Sequence, residues 1–178
     1  MRRKRIWLFL DADGVFSIYR KGEARNPWFA TTGFTVWPIP QAALLLRLIA
    51  GDRRLIPTWM TCWGDCALFW NMWSKTRFFP VSYHLTDRQD SNARLLFPEL
   101  YEARADEKLI AVRYHLRRQP DRDIVWLEDE FSKDTHDWAA SNPHVTLLDA
   151  SRNPVRSLLL SEDEKDIHLL MALILGGQ

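Results

Sequence analysis

Residues 6–15 read IWLFLDADGV: Ile6 to Leu10 form an unbroken apolar run, Asp11 and Asp13 follow one residue apart, and Gly14 comes next. A short apolar run bounded by a turn signal reads as a strand buried on both faces, the pattern of a parallel sheet. Asp11 and Asp13 then stand where the strand leaves the sheet, with Ala12 between them pointing elsewhere. Two carboxylates brought to one point repel, and one takes up a proton unless a cation lies between them. Mg²⁺, which favours hard oxygen ligands, lets both stay ionised. Gly14 permits a sharp turn and leaves room for a ligand. A strand followed by a plain Asp-Gly turn is the alternative for these residues, and the rest of the chain bears on the choice.

Outward from this stretch, Phe16 to Pro40 alternates aromatic and polar residues with Gly22 and Gly33 as breakers, which suits a short hairpin flap. Gln41 to Ala50 is expected to be a helix ended by Gly51, and Leu55 to Met60 a second buried strand running into Thr61. Gly64 to Arg77 reads as helix, and Val81 to His84 as a short third strand. Residues 85–107 read as a polar connection with some helix, before a helix from Lys108 to Leu116. Ile124 to Leu127 is a fourth strand meeting Glu128-Asp129-Glu130, a helix covers Asp134 to Ser141, and Val145 to Leu148 is a fifth strand. Ser161 is expected to cap a terminal helix, with Glu164 at the capping-box position. Strands alternating with helices imply right-handed crossovers, hence an α/β fold with a Rossmann-like parallel sheet of about five strands and helices on both faces. In such sheets ligands bind outside the carboxyl ends of the strands. Asp11, Thr61 and Asp129 all fall at such ends.

The 178 residues hold no Gly/Ser linker, repeat or low-complexity tract, so a single domain over residues 1–178 is expected. A net charge of +1 removes any argument from overall charge for nucleic-acid or membrane binding. The basic opening Arg2-Arg3-Lys4-Arg5 reads as a solvated lead into the first strand or a phosphate contact; it is no signal peptide, since only a short apolar run follows before Asp11. No apolar run approaches a membrane span, because Ile167 to Leu175 is short and interrupted by His168. A soluble, cytoplasmic protein without a membrane partner is the expectation. Cys62 and Cys66 stand four apart with no histidine at ligand spacing and no following arginine of a Cys-x5-Arg loop, so they read as reduced thiols, core-facing or incidental. Most of the nine tryptophans should be core, while Trp28, Trp37 and Trp63 fall near the strand ends and could stack on a base or ring.

LFLDADGV, LIPTWMT, Lys108 and IVWLEDE, in that order, resemble the four motifs of the haloacid dehalogenase superfamily of phosphohydrolases, over nearly the whole chain. The segments WMTCWGDCA and WLEDEFSKDTHDWA look most like its small phage and actinobacterial branch, including the phosphatase-like domains of Swiss Army Knife RNA-repair proteins. The resemblance implies that Asp11 is a nucleophile forming an aspartyl-phosphate, a role needing in-line placement and charge neutralisation more than basicity. It implies that Asp13 protonates the leaving oxygen and then activates water, which points to a phosphatase. Thr61 would donate to a phosphoryl oxygen with the backbone N–H of Cys62, beside Trp63 and Gly14, and Lys108 would neutralise transition-state charge. Asp129, with Glu128 beside it, would complete a Mg²⁺ shell with Asp11 and the carbonyl of Asp13; Glu-Asp here, where many relatives have Asp-Asp, leaves open which carboxylate binds directly. Thr58 is the rival of Thr61, and Arg104 and Arg113 are the rivals of Lys108. Asp134 could hold a metal-bound water or cap its helix, and His136 reads as structural.

The family places specificity domains after the first motif or before the lysine, and here those insertions, Phe16 to Pro40 and Leu85 to Glu107, are too short to build a core. A capless enzyme with an open site and a flap is therefore expected. Open sites suit a phosphate carried on something large, since the substrate itself can exclude water. Arg20, Lys21, Arg25, Arg88 and Arg94 could help hold a nucleic acid, although a solvated surface explains them equally. Three readings follow: a Mg²⁺-dependent phosphatase of polynucleotide ends, a phosphatase of nucleotides or other small esters, and a binding protein that keeps the fold without turnover.

Overall fold

In the computed structural model, which describes residues 5–21, 30–31, 34–39, 41–103, 106–117 and 119–176, four strands form one all-parallel sheet. These are β1 (Ile6–Leu10), β5 (Leu55–Trp59), β6 (Ile124–Glu128) and β7 (Val145–Asp149), in the order β5-β1-β6-β7. β1 lies between two partners, with Phe9 opposite Thr58 on one side and Trp126 on the other. Such a strand has no solvent-facing side, which is why its sequence is apolar throughout.

Alternate residues of these strands feed two separate cores. Ile6, Leu8 and Leu10 of β1 join Val125 and Leu127 of β6 in a cluster with Leu45, Leu46 and Ile49 of α1 (Ala42–Gly51) and Ile167, Leu170 and Ile174 of α8 (Glu164–Gly176). Phe9 and Trp126 point the other way, into a cluster with Ala111, Val112 and Leu116 of α5 (Glu107–Leu116) and with Trp138 of α6 (Lys133–Ala140). Helices thus cover both faces. Ala42, Leu45, Leu46 and Ile49 are the buried residues of α1, the spacing of one helical stripe.

The expected third strand is reduced to a single bridge, so the sheet has four strands rather than five. Val81 pairs with Trp59 alone, held by Trp59 N–H to the Pro80 carbonyl (2.8 Å) and Ser82 N–H to the Trp59 carbonyl (3.0 Å). Beyond it the chain bends away, and Tyr83 donates to Glu107 of α5 instead of continuing a ladder. The residues after β1 form a small antiparallel sheet of β2 (Ser17–Lys21), β3 (Ala30–Thr31) and β4 (Phe34–Pro38), in the order β2-β4-β3, where a hairpin was expected. Gly22, Arg25, Trp28, Gly33, Pro40 and Arg104 lie outside the described residues.

A 3₁₀ turn (Gly64–Ala67) leads into α2 (Leu68–Ser74). Residues 85–107, read from sequence as a connection, are more helical than expected: α3 (Asp87–Leu96) and α4 (Pro98–Glu102) precede α5. A capping box between Thr86 and Gln89 opens α3, a Thr-x-x-Gln signature visible in the chain. Neither helix has a core of its own. Ala93 is the buried residue of α3, and it packs with Phe97, Leu100 and Tyr101 on Ile110 and Tyr114 of α5. At the far end α7 (Val155–Leu160) precedes α8. The Ser161 hydroxyl accepts from Asp163 N–H (3.0 Å), and it is Asp163 that caps α8 by accepting from Lys165 N–H (2.9 Å). The cap therefore sits two residues later than the sequence suggested. Among the described residues no helix is long and apolar enough to cross a membrane.

Candidate active site

Asp11 leaves β1 at the sheet's carboxyl edge, its N–H bonded to the Leu127 carbonyl (3.0 Å) and its side chain nearly sealed from solvent. Glu128 is the last residue of β6 and equally buried; Asp129, next in the chain, is half-buried. Asp106 caps α5 by accepting from Lys108 N–H (2.8 Å), and this fixes where the helix starts and aims Lys108 at the strand ends. Lys108 Nζ lies 2.8 and 2.7 Å from the two Glu128 oxygens and 3.2 Å from Asp11 Oδ1.

Carboxylate oxygens of Asp11, Glu128 and Asp129 lie within 4.8 Å of one another. Three carboxylates against one ammonium leave two negative charges among hard oxygen donors, a set that fits a divalent cation such as Mg²⁺. Burial pushes the Asp11 and Glu128 carboxyls above the usual carboxylate range, and the like charge of Asp11 adds to the effect on Glu128. The Lys108 ammonium and the Thr61 hydroxyl oppose that rise at Asp11. Burial also acts to lower the Lys108 pKa, but the charges of Asp11 and Glu128 outweigh it, so the lysine stays protonated. The pocket as it stands therefore holds excess negative charge that a proton or a metal must relieve.

Asp13 lies apart from this triplet. Its backbone bridges to Ser17, and its carboxylate accepts from Trp63 Nε1 (2.9 Å) and, at 3.5 Å, from the Ser17 hydroxyl. The backbone N–H of Trp63 also points at Thr61 Oγ1 (3.4 Å), so Trp63, through its indole and its backbone, ties Asp13 to the loop that follows β5. Thr61 is fully buried against Asp11. Its rival Thr58 is occupied elsewhere, accepting from Trp7 Nε1 (2.8 Å) in the sheet. Arg113, the described rival of Lys108, pairs with Glu99 (3.3 Å) and covers the Phe97 ring. The structure therefore gathers Asp11, Thr61, Lys108, Glu128 and Asp129, with Asp13 and Trp63 at the rim.

Gly14 turns the chain at φ +65°, and a Cβ there would sit against Asp129 Cβ and 2.5 Å from its Oδ2. Cys62 and Cys66 are both free and exposed, which corrects the core-facing reading. Burial and the Asp11 and Asp13 charges push the Cys62 thiol up, so it is neutral near pH 7. Asp134 is exposed, and α6 is capped by Ser132, which accepts from Thr135 N–H (3.2 Å). His136 lies edge-on to Phe131. Trp59, Trp70 and Trp126 are core; Trp28 lies outside the described residues, as do the side chains of Arg20, Lys21 and Trp37. Sequence reasoning missed Ser17 and the Tyr83–Glu107 contact beside Lys108. No local pattern signals the latter, because its partners are distant in the chain and meet only in the fold.

Comparison with protein-family models, with curated proteins and with solved structures finds no match.

Proposed function

We infer that the chain is a Mg²⁺-dependent phosphomonoester hydrolase, a capless member of the haloacid dehalogenase superfamily working through an aspartyl-phosphate. The observation that carries this reading is Lys108 Nζ held between Asp11 and Glu128, beside Asp129 and Thr61, at the carboxyl edge of a parallel sheet. An ammonium and a buried hydroxyl around one carboxylate are what an in-line phosphoryl transfer to that carboxylate needs.

Bound at Asp11, Asp129 and Glu128, Mg²⁺ would supply charge neutralisation for the phosphoryl oxygens. Asp11 attacks phosphorus through a carboxylate oxygen as the ester P–O bond breaks, and Asp13 gives its proton to the departing alkoxide. Trp63 Nε1–H on Asp13 holds that carboxyl in one orientation across both half-reactions. Lys108 and the Thr61 hydroxyl stabilise the charge on the transferring group. Asp13, now ionised, takes a proton from water, whose oxygen attacks phosphorus and returns Asp11 as a carboxylate with release of inorganic phosphate.

Release of phosphate from p-nitrophenyl phosphate in Mg²⁺, stopped by EDTA and abolished in Asp11→Asn, is the expected result. Equal turnover with chelator would remove the metal from the mechanism, and wild-type turnover in Asp11→Asn would remove the nucleophile. Absence of turnover with any phosphate ester would favour the binding-protein reading.

A further inference from the structure

Among residues 83–85, the α3–α4 segment and the first turn of α5 lies a groove of about 520 Å³ whose lining includes Tyr83, Tyr101, Leu100 and Ile110. Three of its lining residues neighbour the phosphate-handling groups. Glu107, in its wall, precedes Lys108; the charge of Lys108 acts on Tyr83; and His84 Nε2 and Cδ2 lie alongside Gly64, on the loop that carries Thr61.

The lining has a definite polarity. Tyr83 spends its only hydroxyl proton on Glu107 Oε2 (3.0 Å) and Tyr101 spends its own on Asp90 Oδ1 (2.8 Å). Burial and these carboxylates push both phenols up to about 12, so neither is a phenolate near pH 7. Both oxygens are left as acceptors. Among the described lining residues Asp87, Asp90 and Glu107 add three carboxylates, against which stand His84 and one guanidinium, Arg94, itself paired with Asp90 (2.9 Å) and laid over the Tyr101 ring. A groove whose described lining is richer in acceptors than in free donors repels a polyanion and suits a ligand that brings donors and positive charge.

We propose that this groove receives the alcohol portion of the substrate and selects a small phosphomonoester carrying an ammonium group, such as an amino-alcohol or amino-sugar phosphate. This rests on the phosphohydrolase reading above and refines it, setting the polynucleotide end aside as the preferred substrate.

Calorimetry with Asp11→Asn protein in Mg²⁺ reads the selectivity independently of turnover, using O-phosphoethanolamine, glycerol 3-phosphate and a 5′-phosphorylated oligonucleotide as probes. The ammonium ester should bind at least about fivefold more tightly than the glycerol ester, the scale of one partly screened ion pair. Adding Asp87→Lys, at an exposed position in the first turn of α3, should cancel or reverse that preference, and Glu107→Gln should reduce it. Equal affinity for the two small esters, tighter binding of the oligonucleotide, or a preference indifferent to Asp87→Lys overturns the groove assignment. The p-nitrophenyl phosphate assay judges the phosphatase reading separately, so the two failures are distinct.

Discussion

Gly14 has the least latitude of any residue around the site. Its φ of +65° costs an L-residue about 1 kcal/mol, and an added Cβ has Asp129 directly in its way. Gly14→Ala should therefore push Asp129 out of the carboxylate triplet and weaken Mg²⁺ binding by about tenfold, the usual scale for disturbing a ligand's support. Calorimetric titration measures this, and unchanged affinity would show that Asp129 is not a ligand. His115, half-buried on α5, makes a different point. Its Nε2 lies 3.1 Å from the Ser82 carbonyl, which can only accept, so the neutral ring carries its proton on Nε2. Burial first, then the charge of Arg117, lower its pKa below the ordinary 6.5, against the Ser82 bond. The unfolded chain then binds the proton more tightly than the fold does. The stability contributed by neutral His115 is complete above pH 6.5 and is lost as pH falls through the lower folded value. Urea midpoints at about pH 7.5 and 5.5 should differ less in His115→Gln than in wild type. An identical difference in both would refute the burial account. From sequence, Asp11 and Asp13 were legible as a pair, but their separate environments were not. Asp13 owes its place at the rim to an indole fifty residues away.

Among the elements, α2 shows how a helix is locked to the sheet. Asn71, fully buried, accepts from Trp59 Nε1 of β5 (2.8 Å) and Phe79 N–H (3.3 Å), and donates to Thr76 (3.1 Å). Asn71→Ala would leave two buried donors without an acceptor at a cost of about 3 kcal/mol. A urea midpoint showing less than about 1 kcal/mol would mean that water replaces the amide. The strands β1, β5 and β6 could be read from apolar runs because each is covered on both faces. Val81 to His84 could not be ranked in the same way, since a segment introduced by proline makes one ladder step at an edge and then follows Tyr83 to Glu107. The helix α3 was legible in its capping box, whereas its dependence on α5 for a core was not: Ala93 is its buried residue, and nothing in DRQDSNARLL marks which face will be covered.

For the whole molecule, the sheet order puts the ends of β5, β1 and β6 side by side, and the carboxylates of Asp11, Glu128 and Asp129 collect there. Binding of Mg²⁺ to the native state alone should stabilise it by about 2.7 kcal/mol at 100 times the dissociation constant, which for a chain of this size is about 5 to 10 °C in melting temperature. Because Asp11 and Glu128 are held above the usual carboxylate range, protons compete with the ion, and the shift should grow as pH rises from about 6 to 8. Differential scanning fluorimetry checks both, with Asp129→Asn expected to reduce the shift; no shift in wild type at any Mg²⁺ concentration would exclude the site. By itself the sequence determined the α/β class, the buried strands and the residues at their carboxyl ends, because burial on both faces and a breaker at each strand end leave marks local to the chain. Only the tertiary structure decided that Lys108 bridges Asp11 to Glu128, that the third strand stops at one bridge, and that Tyr83, Tyr101 and Glu107 share one groove. Those depend on side chains that meet across long stretches of sequence, and their proximity is set by packing rather than by any pattern along the chain.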